Sequence, residues 1–546
     1  MARTPRAPGL LPANLVDRVI GYFDPAKAGR RILQRQALGA MTGGYTGAKR
    51  SRKGLVDWFP LGGSANDDLL PDLPALRERS RDLERNAPLA RGAISTIATS
   101  VVGTGLVPIP AIDRDALGLS RDEADRIERD LTRIFLQWAY TLDADTTRGQ
   151  TFLEQQELAL RSALVSGDVF AVERYVDRPG ARWLLSCQLV EADRVENPAG
   201  LRDGAEAVSG FRLAGGVELD PYGAPVAVYV RNKFPGRAAR ENAPPGEGDH
   251  VRLPIYGAVS GRRRVHHVFR RTRIDATRGE PLLAPVIETL KQLGDYTENE
   301  VHAAVVSSLF TVFVKSKDGS GLADVPVEGS TSERAAAVAG GEVKLGRGAI
   351  IDLMEGEDIV TANPGRPNDK FDGFVLAVCR QIGAALELPF ELLVKHFTAS
   401  YSASRAAMLE AWRMYRARRV WLGERFCQPF YEAVIFEAVL RRRIDLPGFL
   451  DDPLAREAYL WCEWRGPAPG HIDEEKAVRA AQARIDGRFS TRARETAELT
   501  GEDWRRVEDQ RQAEDARVAD TGGAPASRIS PPADDPAENP DDERED

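Results

Sequence analysis

Residues 366–443 constrain this chain most, because they hold two helical patterns joined by a proline-containing break. Over 371–386, Phe374, Val378, Ile382 and Ala385 recur three or four residues apart, the spacing of one helix face. A second pattern starts near Ser402 or Ser404, either of which suits an N-cap, and runs to about Leu440. Its stripe is Met408, Trp412, Tyr415, Leu422, Phe426, Phe430, Val434 and Ala438. At about 1.5 Å per residue such a helix exceeds ~50 Å, more than a small domain is wide. Pro429 has no backbone N–H, so a kink is expected there. Between the two patterns, ELPFELLVKHFTASY (387–401) carries Pro389, which argues against one uninterrupted helix.

The 546 residues suffice for several domains with ample core. No run of 18 apolar residues occurs, so no membrane span is expected. MARTPRAPGLLPANLVDRVIGYF, at the start, is interrupted by proline and lacks a signal-peptide core, so a protein made and kept in the cytoplasm is expected. Cys187, Cys379, Cys427 and Cys462 are far apart and form no C-x-x-C pair, which supports neither a disulfide framework nor a zinc knuckle. Cys379 and Cys427 fall in apolar helical patterns and read as buried small hydrophobes.

Elements follow in order. Residues 1–75 read as a flexible basic arm with one amphipathic piece at 15–23. Within it GAKRSRKG (47–54) is either a solvated loop or a contact for nucleic acid or an acidic partner. Helices are expected over 73–102, interrupted at Pro88, and over 120–140 and 151–166. Gly103 and Gly105 lack the further glycine of a dinucleotide loop and read as a helix end before a strand. Residues 168–176 and 183–190 alternate as strands, and Asp220-Pro221-Tyr222-Gly223 reads as a turn within a mostly β insertion that closes with a strand at 264–269. A helix over 278–307 takes Pro281 in its first turn and carries Leu283, Val286, Leu290, Leu293, Val301 and Val305 as its stripe. Strands are expected at 309–315, 349–353 and 358–361, a loop at 445–453, and polar helices at 474–485 and 491–517. From Thr521 onward Pro, Asp and Glu dominate, so disorder is expected.

Catalytic motifs are scarce. No P-loop, H-E-x-x-H or G-x-S-x-G string occurs. His266 and His267 are adjacent on a strand and so face opposite ways, which does not suit joint metal chelation. The serines of SYSAS (400–404) read as helix caps rather than nucleophiles. Asp352, Glu355, Glu357 and Asp358 cluster and read as a solvated acidic rim, with metal binding the alternative.

Several strings taken together resemble the lambda-type portal proteins of tailed bacteriophages. They are RNAP with VVGTGL near 85–106, EADRVENP, GVELDPYGAP, RGEPLLAPVIETLKQL, LPFELL, SYSASRAA and FCQPFY, in the family's order. The resemblance implies an α+β, predominantly helical fold with wing, stem, clip and crown. It divides the chain into a basic arm (1–75), wing (76–277), outer stem helix with a strand (278–315), clip (316–365), inner stem helix (366–386), tunnel loop (387–401), long wing helix (402–443), crown (444–520) and acidic tail (521–546).

The resemblance further implies a structural, non-enzymatic protein without cofactors. Twelve copies form a ring at one capsid vertex, assembled in the host cytoplasm and carried in the virion. Double-stranded DNA passes through without sequence readout. Other implied partners are the terminase large subunit at the clip, major capsid and scaffold proteins, and head-completion or adaptor proteins; no membrane is implied. Tunnel-loop residues facing DNA are then Lys395, His396 and Thr398. Clip residues facing the terminase are Lys344, Arg347, Asp352, Glu355 and Glu357. On sequence alone Lys395-His396 reads equally as an exposed loop pair. Arg405, Arg413, Arg416, Arg418 and Arg419 mostly read as subunit-interface or solvent-facing bases. Two other classes stay open: a metal-dependent nucleic-acid enzyme using the clip carboxylates, and a scaffold or adaptor without a channel.

Charge is uneven along the chain: net +9 over 1–53, −11 over 54–520 and −6 over 521–546. A DNA-gripping protein carries a basic face. An acidic body suits a passage through which phosphate must slide, since fixed cations on DNA bind tightly by releasing counterions.

Overall fold

The computed structural model describes residues 15–41, 54–55, 57–60, 62–198, 200–207, 209–232, 250–308, 312–316, 357–361, 371–397, 400–470 and 473–520. They fall into two units, 1–64 and 65–546. In the first, helices α1 (Leu15–Phe23) and α2 (Pro25–Met41) pack as a hairpin. The second of these helices was not expected in an arm read as flexible. The hairpin buries Asp17 against Arg31, at 3.4 Å.

The second unit opens with a short helix, α3 (Ala65–Leu69), and then α4 (Leu73–Asn86) and α5 (Pro88–Val101). Pro88 forces the break: Ala87 before it is extended, φ −98° and ψ 114°. α5 buries Ala90, Ile94, Ile97, Ala98 and Val101. Gly103 and Gly105 have φ +58° and +118° and turn the chain into β1 (Val107–Pro110). After the one-turn α6 (Arg114–Leu117) come α7 (Arg121–Ala139) and α8 (Phe152–Ser166). Ser120 with Glu123, and Thr151 with Glu154, close reciprocal capping boxes at their starts.

Two antiparallel sheets follow. The first has the order β3–β2–β8, from β2 (Asp168–Tyr175), β3 (Leu185–Glu191) and β8 (Val265–Phe269). The second runs β4 (Arg212–Ala214), β5 (Val217–Leu219), β6 (Pro225–Arg231), β7 (His250–Pro254). Asp220 makes the expected turn, its carbonyl accepting from Gly223 N and its carboxylate from Tyr222 N and Ala224 N. Phe170, Val190, Val217, Val228 and Val265 form a core between the sheets.

The next long helix, α9 (Ile287–Ser308), starts later than expected. A 3-10 turn at Ala284–Val286 precedes it and Pro281 lies outside. The cause is Arg278: its side chain is locked in the buried centre described below, which holds 278–281 out of helix. Leu283, Val286, Leu290 and Leu293 are buried as expected, whereas Val301 and Val305 are 63% and 54% exposed. Strands β9 (Val312–Ser316) and β10 (Glu357–Thr361) pair antiparallel, Val312 opposite Thr361. The expected strand at 349–353 lies outside the described residues.

α10 (Phe371–Ala385) buries Cys379, Ile382 and Gly383, with Val375 and Val378 packed against the core. The buried face is therefore rotated from the expected stripe: Phe374 is 52% exposed and Ala385 is exposed. A short α11 (Phe390–Val394) occupies the joint. Then α12 (Tyr401–Leu422), a π turn (Gly423–Cys427) and α13 (Gln428–Leu440) run as one helical rod, about 60 Å by rise per residue. Ser400 holds the N-cap position, not Ser402 or Ser404, and no side chain caps the end. Tyr415, Leu422, Phe426, Phe430, Val434 and Ala438 are buried as expected.

Helix α14 (Pro453–Leu460) begins where the expected loop at 445–453 ends, and β11 (Cys462–Arg465) pairs with β1. Phe449, Tyr459 and Cys462 join the same core as α5, α7 and α13, so no break in packing falls at 444. α15 (Glu474–Asp486), α16 (Arg492–Leu499) and α17 (Trp504–Asp520) end the described chain. The expected helix over 491–517 is two helices.

Candidate functional site

The joint 387–397 is built by backbone bonds at its root and left-handed residues at its ends. After α10, Glu387 takes φ +60° and Leu388 N donates to the Gly383 carbonyl at 2.8 Å. That closure needs Gly383: an added Cβ would stand 2.7 Å from the Leu388 oxygen. Pro389 then starts α11 at the N-cap, where its missing N–H does no harm. Lys395 ends α11 at φ +55°, and His396 N reaches back to the Glu391 carbonyl at 3.1 Å. Leu386, Leu388 and Leu393 pin the joint into the main core at 0–3% exposure. The Glu387 carboxylate meets Arg418 at 3.4 Å and Arg270 at 3.9 Å.

This frame leaves Lys395, His396 and Phe397 exposed at its tip. Lys395 thus offers a hydrated ammonium on a short, anchored helix end, able to touch a phosphate as a point charge. Thr398 lies outside the described residues. So do Lys344, Arg347, Asp352 and Glu355; Glu357 opens β10 opposite Ser316. The structure therefore brings Lys395 and His396 together and does not place the expected clip residues as a group.

Two of the five helix arginines read as interface bases are internal instead. Arg419 donates to the carbonyls of Ser100, Val101 and Pro467 and lies over the Trp412 ring. Arg418, largely buried, takes Glu387 as noted. Arg413 and Arg416 pair with Glu410 and Glu498 on the surface.

A buried polar centre escaped the sequence reading. Asp168, fully buried, accepts from Arg77 Nη2 (2.8 Å), Arg278 Nε (2.6 Å) and Nη2 (3.1 Å), and His267 Nε2 (2.9 Å). Since a carboxylate only accepts, His267 carries its proton on Nε2. The arginines also donate to the Ser166, Ala192, Val195 and Gly215 carbonyls. Burial alone would raise the Asp168 carboxyl, but Arg278, Arg77 and His267 together hold it well below the carboxylate range. Burial pushes His267 down to about 4, the Asp168 bond opposing. Gly167 and Gly279 let two backbones touch here: a Cβ on Gly279 would meet the Gly167 oxygen at 2.0 Å. The centre ties α4, both sheets and the lead into α9 together. His266 points the other way, to Glu173 at 3.0 Å, as adjacent strand residues must.

Among the described residues no group of three metal-ligating side chains occurs, and no helix is long and apolar enough to cross a membrane. All four cysteines are free and buried. These features define an α+β protein, predominantly helical, organised on long helices with an exposed joint between two of them. Residues 51–419 match the model of the phage portal proteins of the lambda family, and the chain belongs to that family. It is 24% identical over 511 residues to portal protein B of Escherichia phage lambda, covering 90% of this chain and 91% of that one. It is 24% identical over 512 residues to the portal protein of Escherichia phage N15, with 90% and 91% covered. Among solved structures, a chain from the neck of a native gene transfer agent particle, computed with C12 symmetry, is 16% identical with a TM-score of 0.38, over 71% of this chain and 92% of that one. The family is structural, so this is a portal subunit of the virion and not an enzyme.

Proposed function

We propose that copies of this chain, twelve as the family resemblance implies, close into a ring around a pore for duplex DNA at one capsid vertex. Apolar side chains that the single chain leaves in water carry this reading. Val301 on α9, Phe374 on α10, and Leu409 and Val420 on α12 are each more than half exposed. They lie on α9, α10 and α12, and neighbouring copies would cover them. The joint 387–401 then faces the axis. One Lys395 per copy becomes a ring of charge that touches phosphate without reading bases. The excursion between β9 and β10 serves as the clip where the terminase docks and head-completion proteins later bind, and capsid and scaffold proteins surround the ring. Assembly takes place in the host cytoplasm.

Negative-stain end views of the purified protein test the pore: closed rings with a central hole are expected, and monomers at every concentration would overturn it. Charge reversal, Lys395→Glu, should leave rings intact and lower DNA packaged per head. Packaging equal to the parent protein would remove Lys395 from the pore wall.

A further inference from the structure

A cavity of about 390 Å³ near the π turn takes no part in the function proposed above. Arg262, Arg263, Arg425 and Arg456 line it together with Glu424 and Glu432. The guanidinium groups are poorly matched by acids. Arg262 lies over the Phe436 ring, 4.2 Å from its centroid. Arg456 donates to the Phe449 and Leu450 carbonyls. Among the described residues Arg262, Arg263 and Arg425 form no ion pair, and Arg263 Nε is buried with no acceptor. Burial pushes the Glu432 carboxyl up, the Gln428 bond and the nearby Arg262 and His266 opposing. Glu173, also on the cavity, is engaged by His266. Guanidinium therefore outweighs available carboxylate, and an entering anion would satisfy it. The volume admits a side chain or two and not a duplex.

The chain carries a ligand of this chemistry. Residues 521–546 hold eight acids and two arginines. They follow α17, whose first turn is linked through α7 and the strand-end residues 111–113 to α14. Arg505 in the first turn of α17 pairs with Asp125 and Glu128 of α7, at 2.6 and 2.9 Å. Glu128 accepts from Ile112 N, and the flanking Ala111 and Asp113 N–H groups donate to the Trp461 and Ala458 carbonyls. Ala458 belongs to α14, the helix that supplies Arg456. Twenty-six residues span at most ~94 Å, farther than the ~60 Å rod of α12 and α13. We propose that the arginine-lined cavity binds the acid-rich segment 521–546, its carboxylates entering against Arg262, Arg263 and Arg425.

The test places a photo-cross-linking residue at Ile529 or Ala533 of the full chain and maps its products by mass spectrometry. Cross-links are expected on 256–264, 424–436 and 453–460, and added salt should reduce them. Arg263→Glu with Arg425→Glu should lower their yield about tenfold, as charge-assisted bonds become repulsions. Because that change risks unfolding, Arg263→Lys with Arg425→Lys keeps the charge and should give a smaller loss, with circular dichroism recorded for both. Mixed isotopically light and heavy chains report whether the segment comes from the same copy or a neighbour, and either result supports binding. Cross-links spread evenly over the surface, or unchanged in both variants, would overturn the proposal. So would arginine variants that lose duplex-DNA binding while the segment cross-links elsewhere, since the arginines would then serve nucleic acid.

Discussion

Asp168 is the residue whose loss should be felt most. Asp168→Asn keeps the shape but leaves Arg77 and Arg278 buried without their counter-charge, and removing one partner of a buried pair costs about 3–5 kcal/mol. The expected result is a clear drop in urea midpoint at pH 7. His267 adds a pH dependence whose sign is fixed. Its folded value, about 4, lies below the unfolded value near 6.5, so the unfolded chain takes up the proton first. The stability of the neutral ring is full above about pH 6.5 and lost as pH falls through about 4, on the order of 3 kcal/mol in all. The depressed Asp168 carboxyl adds a second loss only at still lower pH. Urea midpoints at pH 7, 5.5 and 4.5 should fall in that order, and His267→Asn should flatten the slope. Nothing in the sequence announces this centre. Its partners to Asp168 stand 91, 99 and 110 residues away, and no spacing rule links such distances. Only the opposed facing of His266 and His267, a property of neighbours, was legible.

Elements were more legible than contacts, since caps and prolines act locally. Ser120, Thr151, Pro88 and the glycines at 103 and 105 end or start elements where expected. The long helix shows where local reasoning stops. Pro429 donates no hydrogen bond, and the helix answers one turn earlier: Gln428 N reaches the Gly423 carbonyl, five residues back, opening a π turn. Position 423 is dictated from outside the helix. A Cβ there would stand 2.8 Å from Trp464 on β11, more than forty residues on in the chain. Gly423→Ala should therefore overpack the core and destabilise by about 1–3 kcal/mol, read as a lower thermal midpoint. A midpoint equal to the parent's would mean that Trp464 yields freely. Likewise the 3-10 turn ahead of α9 follows from Arg278 held by Asp168, a tertiary constraint that overrides a good helical stripe.

For the whole molecule, two of the four residues in the stripe assigned to α10, Phe374 and Ala385, are left uncovered, for a reason that bears on assembly. Phe374 fits the helical period of a core face yet stands half exposed, as do Val301 and Val420 on their helices. Periodicity marks residues that are covered, without telling whether the cover is the same chain or another copy. In the proposed ring neighbouring copies would supply that cover, and the two kinds of burial can be separated by measurement. Val301→Glu with Val420→Glu alters exposed positions, so the isolated chain should keep its stability within about 0.5 kcal/mol. In a ring the same carboxylates would be buried unpaired between copies, at several kcal/mol each. Sedimentation should then show monomers where the parent forms rings, while thermal unfolding of the two monomers coincides. Rings at parental concentrations would mean that other surfaces close the circle and that these side chains stay in water in the assembled particle.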